Sequence, residues 1–258
     1  MIWDLPFWAN ERPPAAFRPL RAFGHFRKLV ADKEDTAQVF HMGECLPSRR
    51  FQATARTFCE SELGKSLMDS QAYLPDILDD HDTLCSLPAG SVAHAYVAFM
   101  RKEGLSAAGL VEASQLPGVQ SYPDKLQWLS DRLRDTHDLA HVLTGYGRDA
   151  LGEQCVLGFT SGQYHDWTEW FIAWAGALEL VARVRSDAPV LAAVAEARRH
   201  GRAAAVLYRQ DIRALLAEPL DLARKRMGIE EPTQYRLAHA RYRAKGLDPY
   251  ELFAAQAA

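Results

Sequence analysis

Little in this 258-residue chain points to covalent bracing, to a membrane span or to disorder. Cysteine is scarce. Cys45, Cys59, Cys85 and Cys155 stand far apart with no Cys-x-x-Cys pair, which argues against a disulfide framework and predicts reduced, mostly buried thiols. Long apolar runs are missing as well. The longest, such as Phe171 to Leu178, is far short of the ~20 residues that a spanning helix needs. The first stretch carries Asp4, Glu11, Pro13 and Pro14 where a secretory signal would demand unbroken apolar residues, so no such signal is expected. No segment alternates apolar and polar residues for long enough to predict a strand, and no internal repeat is visible. What remains is ordinary globular composition, 48% apolar and 24% charged, long enough to bury a core without staples.

A net charge of −3 conceals an uneven distribution. Residues 183–245 hold 14 Lys and Arg against 7 Asp and Glu, while the rest holds 16 against 26. A basic segment on a mildly acidic body suits a local anionic partner, such as a lipid surface, a phosphate or the chain's own acidic part; a solvated, Arg-rich helix face accounts for it equally well. No aromatic-interleaved basic motif is present, so no nucleic-acid partner is expected.

Apolar positions recur at helical spacing in 18–31, 36–44, 52–68, 92–103, 124–144, 150–162, 167–184, 188–200, 202–226 and 233–244. Ser91 after the Leu87-Pro88-Ala89-Gly90 turn, Asp124 after Pro123, and Asp149 after Gly145-Tyr146-Gly147 read as helix starts. The stretch 104–122, with Gly104, Gly109, Pro117 and Gly118, reads as a lid or connection. The pattern predicts an all-α, multi-helical single domain over 17–245, preceded by an aromatic arm at 1–16 and followed by a tail at 246–258. The arm, Met1-Ile2-Trp3-Asp4-Leu5-Pro6-Phe7-Trp8, suits either docking on the body or on a second subunit, or insertion at a bilayer interface. Trp167, Phe171, Trp174, Leu178 and Ala182 share one stripe of a helix that is apolar nearly all round; core packing is its default, and the lining of a greasy tunnel is the other reading.

One constellation stands apart: His137-Asp138-Leu139-Ala140-His141, then eleven residues, then Glu153. At about 100° per residue, His141 falls ~40° and Asp138 ~100° from His137, so one arc of one helix presents all three. Leu126, Leu129, Leu133 and Ala140 lie on the same side, which predicts that the histidines face inward. Buried without partners, each imidazole would cost roughly 1–3 kcal/mol. Glu153 follows the Gly145-Tyr146-Gly147 break on the next helix and shares its face with Val156, Leu157 and Thr160. A capping-box partner of Asp149 would fall at Gly152, so Glu153 is not a capping device. Two His with one or two carboxylates suit Zn, Fe, Co or Mn with open positions for water or substrate. A satisfied polar network in the core is the competing account. A metalloprotease would place Glu after the first His, and a di-iron bundle would need Glu-x-x-His pairs, which are missing. A His-Asp phosphohydrolase could draw on His81-Asp82, His137-Asp138 and His165-Asp166 but leaves His141 and Glu153 unexplained.

The run Arg132-Leu133-Arg134-Asp135-Thr136-His137-Asp138-Leu139-Ala140-His141, with Gly145 and Leu151-Gly152-Glu153, resembles the signature of the Coq protein four family of coenzyme Q (ubiquinone) biosynthesis. That signature reads Arg-x-Arg-Glu-x-His-Asp-x-x-His, eleven residues, then Glu. Leu87-Pro88-Ala89-Gly90-Ser91 with Tyr96 and Phe99, the stretch Ala31-Asp32-Lys33-Glu34-Asp35-Thr36, and Met227-Gly228-Ile229 with Pro232 extend the likeness over about residues 17–235. Asp135 stands in place of the usual Glu, and Ala93-His94 where a Gly followed by a polar residue is commoner. The resemblance implies an all-helical protein, here a bacterial member, with one divalent metal ion (zinc, or iron, cobalt or manganese; magnesium in crystals) on His137, Asp138, His141 and Glu153 between two consecutive helices. It implies oxidative decarboxylation of a prenylated hydroxybenzoate, the carboxyl at ring carbon 1 being replaced by hydroxyl. A non-catalytic prenyl-lipid scaffold for other ubiquinone enzymes is the alternative. Expected partners are a prenylated aromatic lipid, a membrane surface, other ubiquinone-biosynthesis proteins and a second copy of the chain; the expected location is cytoplasmic, peripheral to the inner face of the cell membrane.

Around that motif, Arg134 lies about 60° from His137 on an unbroken helix and could hold a substrate carboxylate, or pair with Asp135 or Asp138. Arg132 points away and reads as structural. His94 reads as a hydrogen-bonded bystander, with a proton shuttle as its functional alternative.

Overall fold

A computed structural model describes residues 1–32, 35, 37–115 and 121–252. Its helices are α1 (Pro19–Ala31), α2 (Ala37–Cys45), α3 (Arg49–Glu60), α4 (Glu62–Ser70), α5 (Pro75–Leu78), α6 (His81–Ser86), α7 (Val92–Glu103), α8 (Ala107–Ser114), α9 (Lys125–Asp135) and α10 (His137–Thr144). Then follow α11 (Ala150–Tyr164), α12 (Trp167–Arg183), α13 (Val190–Ala203), α14 (Ile212–Ala217), α15 (Leu220–Met227) and α16 (Thr233–Ala244). Among the described residues there is no strand, and the chain is an all-α domain as its periodicity predicted. Its contacts gather into two compact units interleaved in sequence, 1–139 with 207–223 and 140–206 with 224–258.

In the first unit the aromatic arm is docked. Phe7 and Ala9 are buried, and the amides of Lys125 and Leu126 donate to the carbonyls of Pro6 and Phe7. Arg12 grips Asp124 at 2.7 and 2.9 Å, and the Ala9 amide donates to the same carboxylate. Arg56 lies over the Phe7 ring, and Arg12 over the rings of Trp8 and Tyr122. Asp124 meanwhile caps α9 as expected, accepting from the Gln127 amide. Arg132 is buried in this unit as well, donating to the carbonyls of Tyr208 and Gln210 and to Gln71.

In the second unit α11 is the central rod, buried on nearly every side. It packs closely with α13 because small residues meet there: a Cβ on Gly201 would lie 1.9 Å from the Phe159 carbonyl oxygen. Part of the Arg-rich surface of this unit is paired with acids. Arg183 meets Glu179, Arg236 meets Glu231, and Arg241 and Lys245 share Asp187.

Several boundaries differ from the periodic reading, each for a local reason. The helix expected over 52–68 breaks at Ser61, whose extended backbone and hydroxyl cap α4. The one expected over 124–144 breaks at Thr136, whose hydroxyl bonds back to the Arg132 and Leu133 carbonyls. The segment 202–226 divides into a 3₁₀ turn at Leu207–Arg209, α14 and α15. Helices α5 and α6 were not anticipated, and α8 occupies part of the stretch read as non-helical; Pro117 and Gly118 lie outside the described residues, as do Lys33, Glu34 and Thr36 and the tail from residue 253.

The largest correction concerns α12. Its aromatic stripe is not core: Trp167 is 52% and Leu178 57% exposed and Phe171 and Trp174 are half-buried, while Thr168, Ile172, Ala173, Ala177 and Leu180 face inward. A helix apolar all round offers no contrast to choose a buried face, so the fit of small residues against α11 decides. Among the described residues no helix is long and apolar enough to cross a membrane.

Candidate metal centre

The short helix α10 begins anew at His137, one residue after the break at Thr136. His137, Asp138 and His141 lie on it, each offering a ligand atom within 4.8 Å of the others. Asp138 and His141 are buried and His137 is half-buried, which agrees with the inward arc read from their spacing. Arg224 holds the far end of the helix, donating to the Leu143 and Val142 carbonyls at 2.8 and 3.0 Å.

Gly145 then turns the chain with φ +76°, and Asp149 starts α11 by accepting from the amides of Leu151 and Gly152. No larger residue fits at 152, because a Cβ there would lie 1.9 Å from the Gly147 carbonyl oxygen. This tight corner carries Glu153 back toward α10, with its Oε2 3.4 Å from His141 Nε2 and its Oε1 3.5 Å from Arg148 Nε. Glu153 is thus beside His141 as expected, although 30% exposed and outside the group of three.

The orientation of His141 is set by its other ring nitrogen. Nδ1 lies 3.1 Å from the Tyr146 carbonyl oxygen, which can only accept, so Nδ1 is the donor there and Nε2 is turned to the Glu153 side. A ring held through Nδ1 by a carbonyl is how metal-ligating histidines are commonly oriented. The spacing is also suitable. Two ligands about 2.1 Å from a tetrahedral ion stand ~3.4 Å apart, the separation found between His141 and Glu153. His137, Asp138 and His141 could hold one divalent cation, with Glu153 beside His141.

Of the two roles open to Arg134, the structure shows the pairing with Asp135: Arg134 donates to Asp135 at 2.8 Å, Asp131 at 3.0 Å and Ser114 at 2.9 Å. Arg132 is structural, as its angle suggested. Burial pushes the Asp135 carboxyl up to about 6 against the pull of Arg134. His94 bonds the Cys85 carbonyl and stands outside the cluster. Neither His81-Asp82 nor His165-Asp166 joins the group of three.

Two residues escaped the sequence reading. Tyr235 and His239, on α16, both reach Asp149, at 2.5 and 3.1 Å. The signal was present, since Tyr235, Ala238, His239 and Tyr242 form a buried stripe at helical spacing whose polar tips need partners.

The fold and cluster define an all-α protein with a His-Asp-x-x-His group on one helix, two of its three polar residues buried, and an acidic residue brought beside its second histidine by the next. A family model described as coenzyme Q (ubiquinone) biosynthesis protein Coq4 matches residues 21–233. Among similar proteins, the mitochondrial ubiquinone biosynthesis protein COQ4 of Candida tropicalis is 24% identical over 74% of this chain and 57% of its own length. The mitochondrial COQ4 homolog of Drosophila ananassae is 29% identical over 45% of this chain and 41% of its own. The chain thus spans about half the length of the curated relatives it matches. A crystal structure from Nostoc punctiforme PCC 73102, of a protein provisionally assigned to ubiquinone biosynthesis, superposes with a TM-score of 0.62 at 19% identity. It covers 83% of this chain and all of that one. The chain belongs to the Coq4 family of ubiquinone biosynthesis proteins.

Proposed function

We propose that this protein is a metal-dependent enzyme of ubiquinone assembly, catalysing oxidative decarboxylation of a prenylated hydroxybenzoate. The observation that carries the reading is the His137-Asp138-His141 group with Glu153 3.4 Å from His141. A divalent ion held there supplies Lewis acidity toward a substrate carboxylate or phenolate. The chain's own residues do the rest. The Tyr146 carbonyl orients the His141 ring, and Arg148 Nε stands 3.5 Å from Glu153 Oε1. In the reaction the ring carboxyl departs as carbon dioxide and a hydroxyl takes its place, which removes two electrons and draws on an external oxidant.

The test is elemental analysis and turnover with the full chain and its His141→Ala variant. Wild type should hold about one divalent ion and convert a prenylated hydroxybenzoate; the variant should lose both. Equal metal content and equal conversion in the two would defeat the proposal.

The outward apolar face of α12 favours a second reading, a prenyl-lipid-binding scaffold that sits on a membrane or against other ubiquinone proteins or a second copy. Metal-loaded protein that binds liposomes in a salt-dependent way but never turns over would support it.

A further inference from the structure

We infer that Tyr235 is a positioning residue for the metal centre: it holds the α10–α11 corner so that the Tyr146 carbonyl accepts from His141 Nδ1 and Nε2 is turned toward Glu153. The inference rests on the metal reading of the site. It goes beyond it in assigning a role to a side chain 82 or more residues away from every ligand in sequence.

Tyr235 touches the corner at three residues. Its ring packs edge-on against Tyr146 with centroids 5.3 Å apart. Its hydroxyl accepts from the Gly147 amide at 3.0 Å and donates to Asp149 Oδ2 at 2.5 Å. The other oxygen, Asp149 Oδ1, receives His239 Nε2 and the first amides of α11. One phenol thus joins the residue that orients His141, the amide after it, and the cap of the helix that carries Glu153. Burial holds the phenol well above its ordinary range, so it is neutral and available as the donor to Asp149. The corner between Gly145 and Asp149 has few ways to move while these bonds stand. Without the hydroxyl, the Gly147 amide loses its acceptor, and the same peptide group, whose Tyr146 carbonyl faces His141, loses the bond that fixes it.

A merely structural tyrosine would alter stability alone, so the test reads His141 and the metal directly. The full chain, Tyr235→Phe, Asp149→Asn and a control, Thr233→Val, are compared. The asparagine keeps a good helix cap while replacing the carboxylate that accepts the phenol. Thr233→Val removes a hydrogen bond to Glu196 at the start of the same helix, without touching the corner. Nitrogen-15 NMR of His141 in metal-free protein should show Nδ1 protonated in wild type and control, and a mixture of tautomers in Tyr235→Phe. Titration with Co²⁺, followed by its visible absorption, should show affinity about 10- to 100-fold weaker in Tyr235→Phe, reduced in Asp149→Asn and unchanged in Thr233→Val. An unchanged tautomer in folded Tyr235→Phe overturns the inference. So does wild-type Co²⁺ affinity in that variant, or equal weakening in the control. If Tyr235→Phe fails to fold, Asp149→Asn decides by the same two readouts. Should wild type take up no Co²⁺, the metal reading fails by itself, and the tautomer comparison still decides whether Tyr235 positions His141.

Discussion

Two buried aspartates open two helices and are held in opposite ways. Asp124 caps α9 and is clasped by the Arg12 guanidinium and the Ala9 amide, both from the N-terminal arm. Asp149 caps α11 and is held by the Tyr235 phenol and His239. Burial alone would raise the Asp124 carboxyl, but its bonds to Arg12, Ala9 and Gln127 outweigh that and hold it below the usual carboxylate range. The first arrangement is a charged latch on a chain end. The second is a polar brace on a turn, and it borders the candidate metal centre. The same residue type with the same capping task serves attachment in one place and precision in the other, and its partners make the difference.

Breaking the latch should have the largest effect. Arg12→Ala leaves a fully buried carboxylate without its cation, and urea unfolding at pH 7 should show a loss of about 3 kcal/mol, with faster proteolysis of residues 1–16. Only a few tenths lost would mean that the arm is held by Phe7 and its backbone bonds instead. Acid sharpens the contrast. A carboxyl whose folded value lies below its unfolded value adds stability above pH ~4, and that stability is lost as pH falls through the folded value. The gap between wild type and Arg12→Ala should therefore shrink below pH ~4; a gap constant down to pH 2 would contradict the charged latch.

The brace predicts smaller, flatter behaviour. Tyr235→Phe should cost roughly 1–2 kcal/mol for the unmade bonds, with the gap to wild type unchanged between pH 5 and 8, because the phenol stays neutral throughout. A gap that varied across that range would show that a titrating partner, and not the hydroxyl, carries the brace. Leu178→Ser touches neither cap and sets the floor. It should change stability by under ~0.5 kcal/mol, since that side of α12 faces outward. A larger loss would restore the buried stripe that the sequence suggested.

How much was legible varied with the range of the physics involved. Helix starts at Ser91, Asp124 and Asp149 were readable because a cap is written within three or four residues. The inward arc of His137, Asp138 and His141 was readable for the same reason, since one helix turn sets it. The breaks at Ser61 and Thr136 were not, because a hydroxyl that bonds back to the chain leaves apolar periodicity intact. Arg134 was legible only as a choice between a substrate carboxylate and an acidic neighbour, and its bond to Asp135 is one of those two.

Sequence by itself determined what local spacing can determine: the all-α class, the principal caps, and a His-Asp-x-x-His face with a carboxylate one helix later. Tertiary structure alone decided which side of α12 is buried, that Arg12 reaches Asp124 across 112 residues, and that Tyr235 reaches Asp149 across 86. The physical reason is that a side chain's direction on one helix follows from its neighbours in sequence. Its partner on another helix is chosen by shape, charge and unmet hydrogen bonds over the whole packed interior.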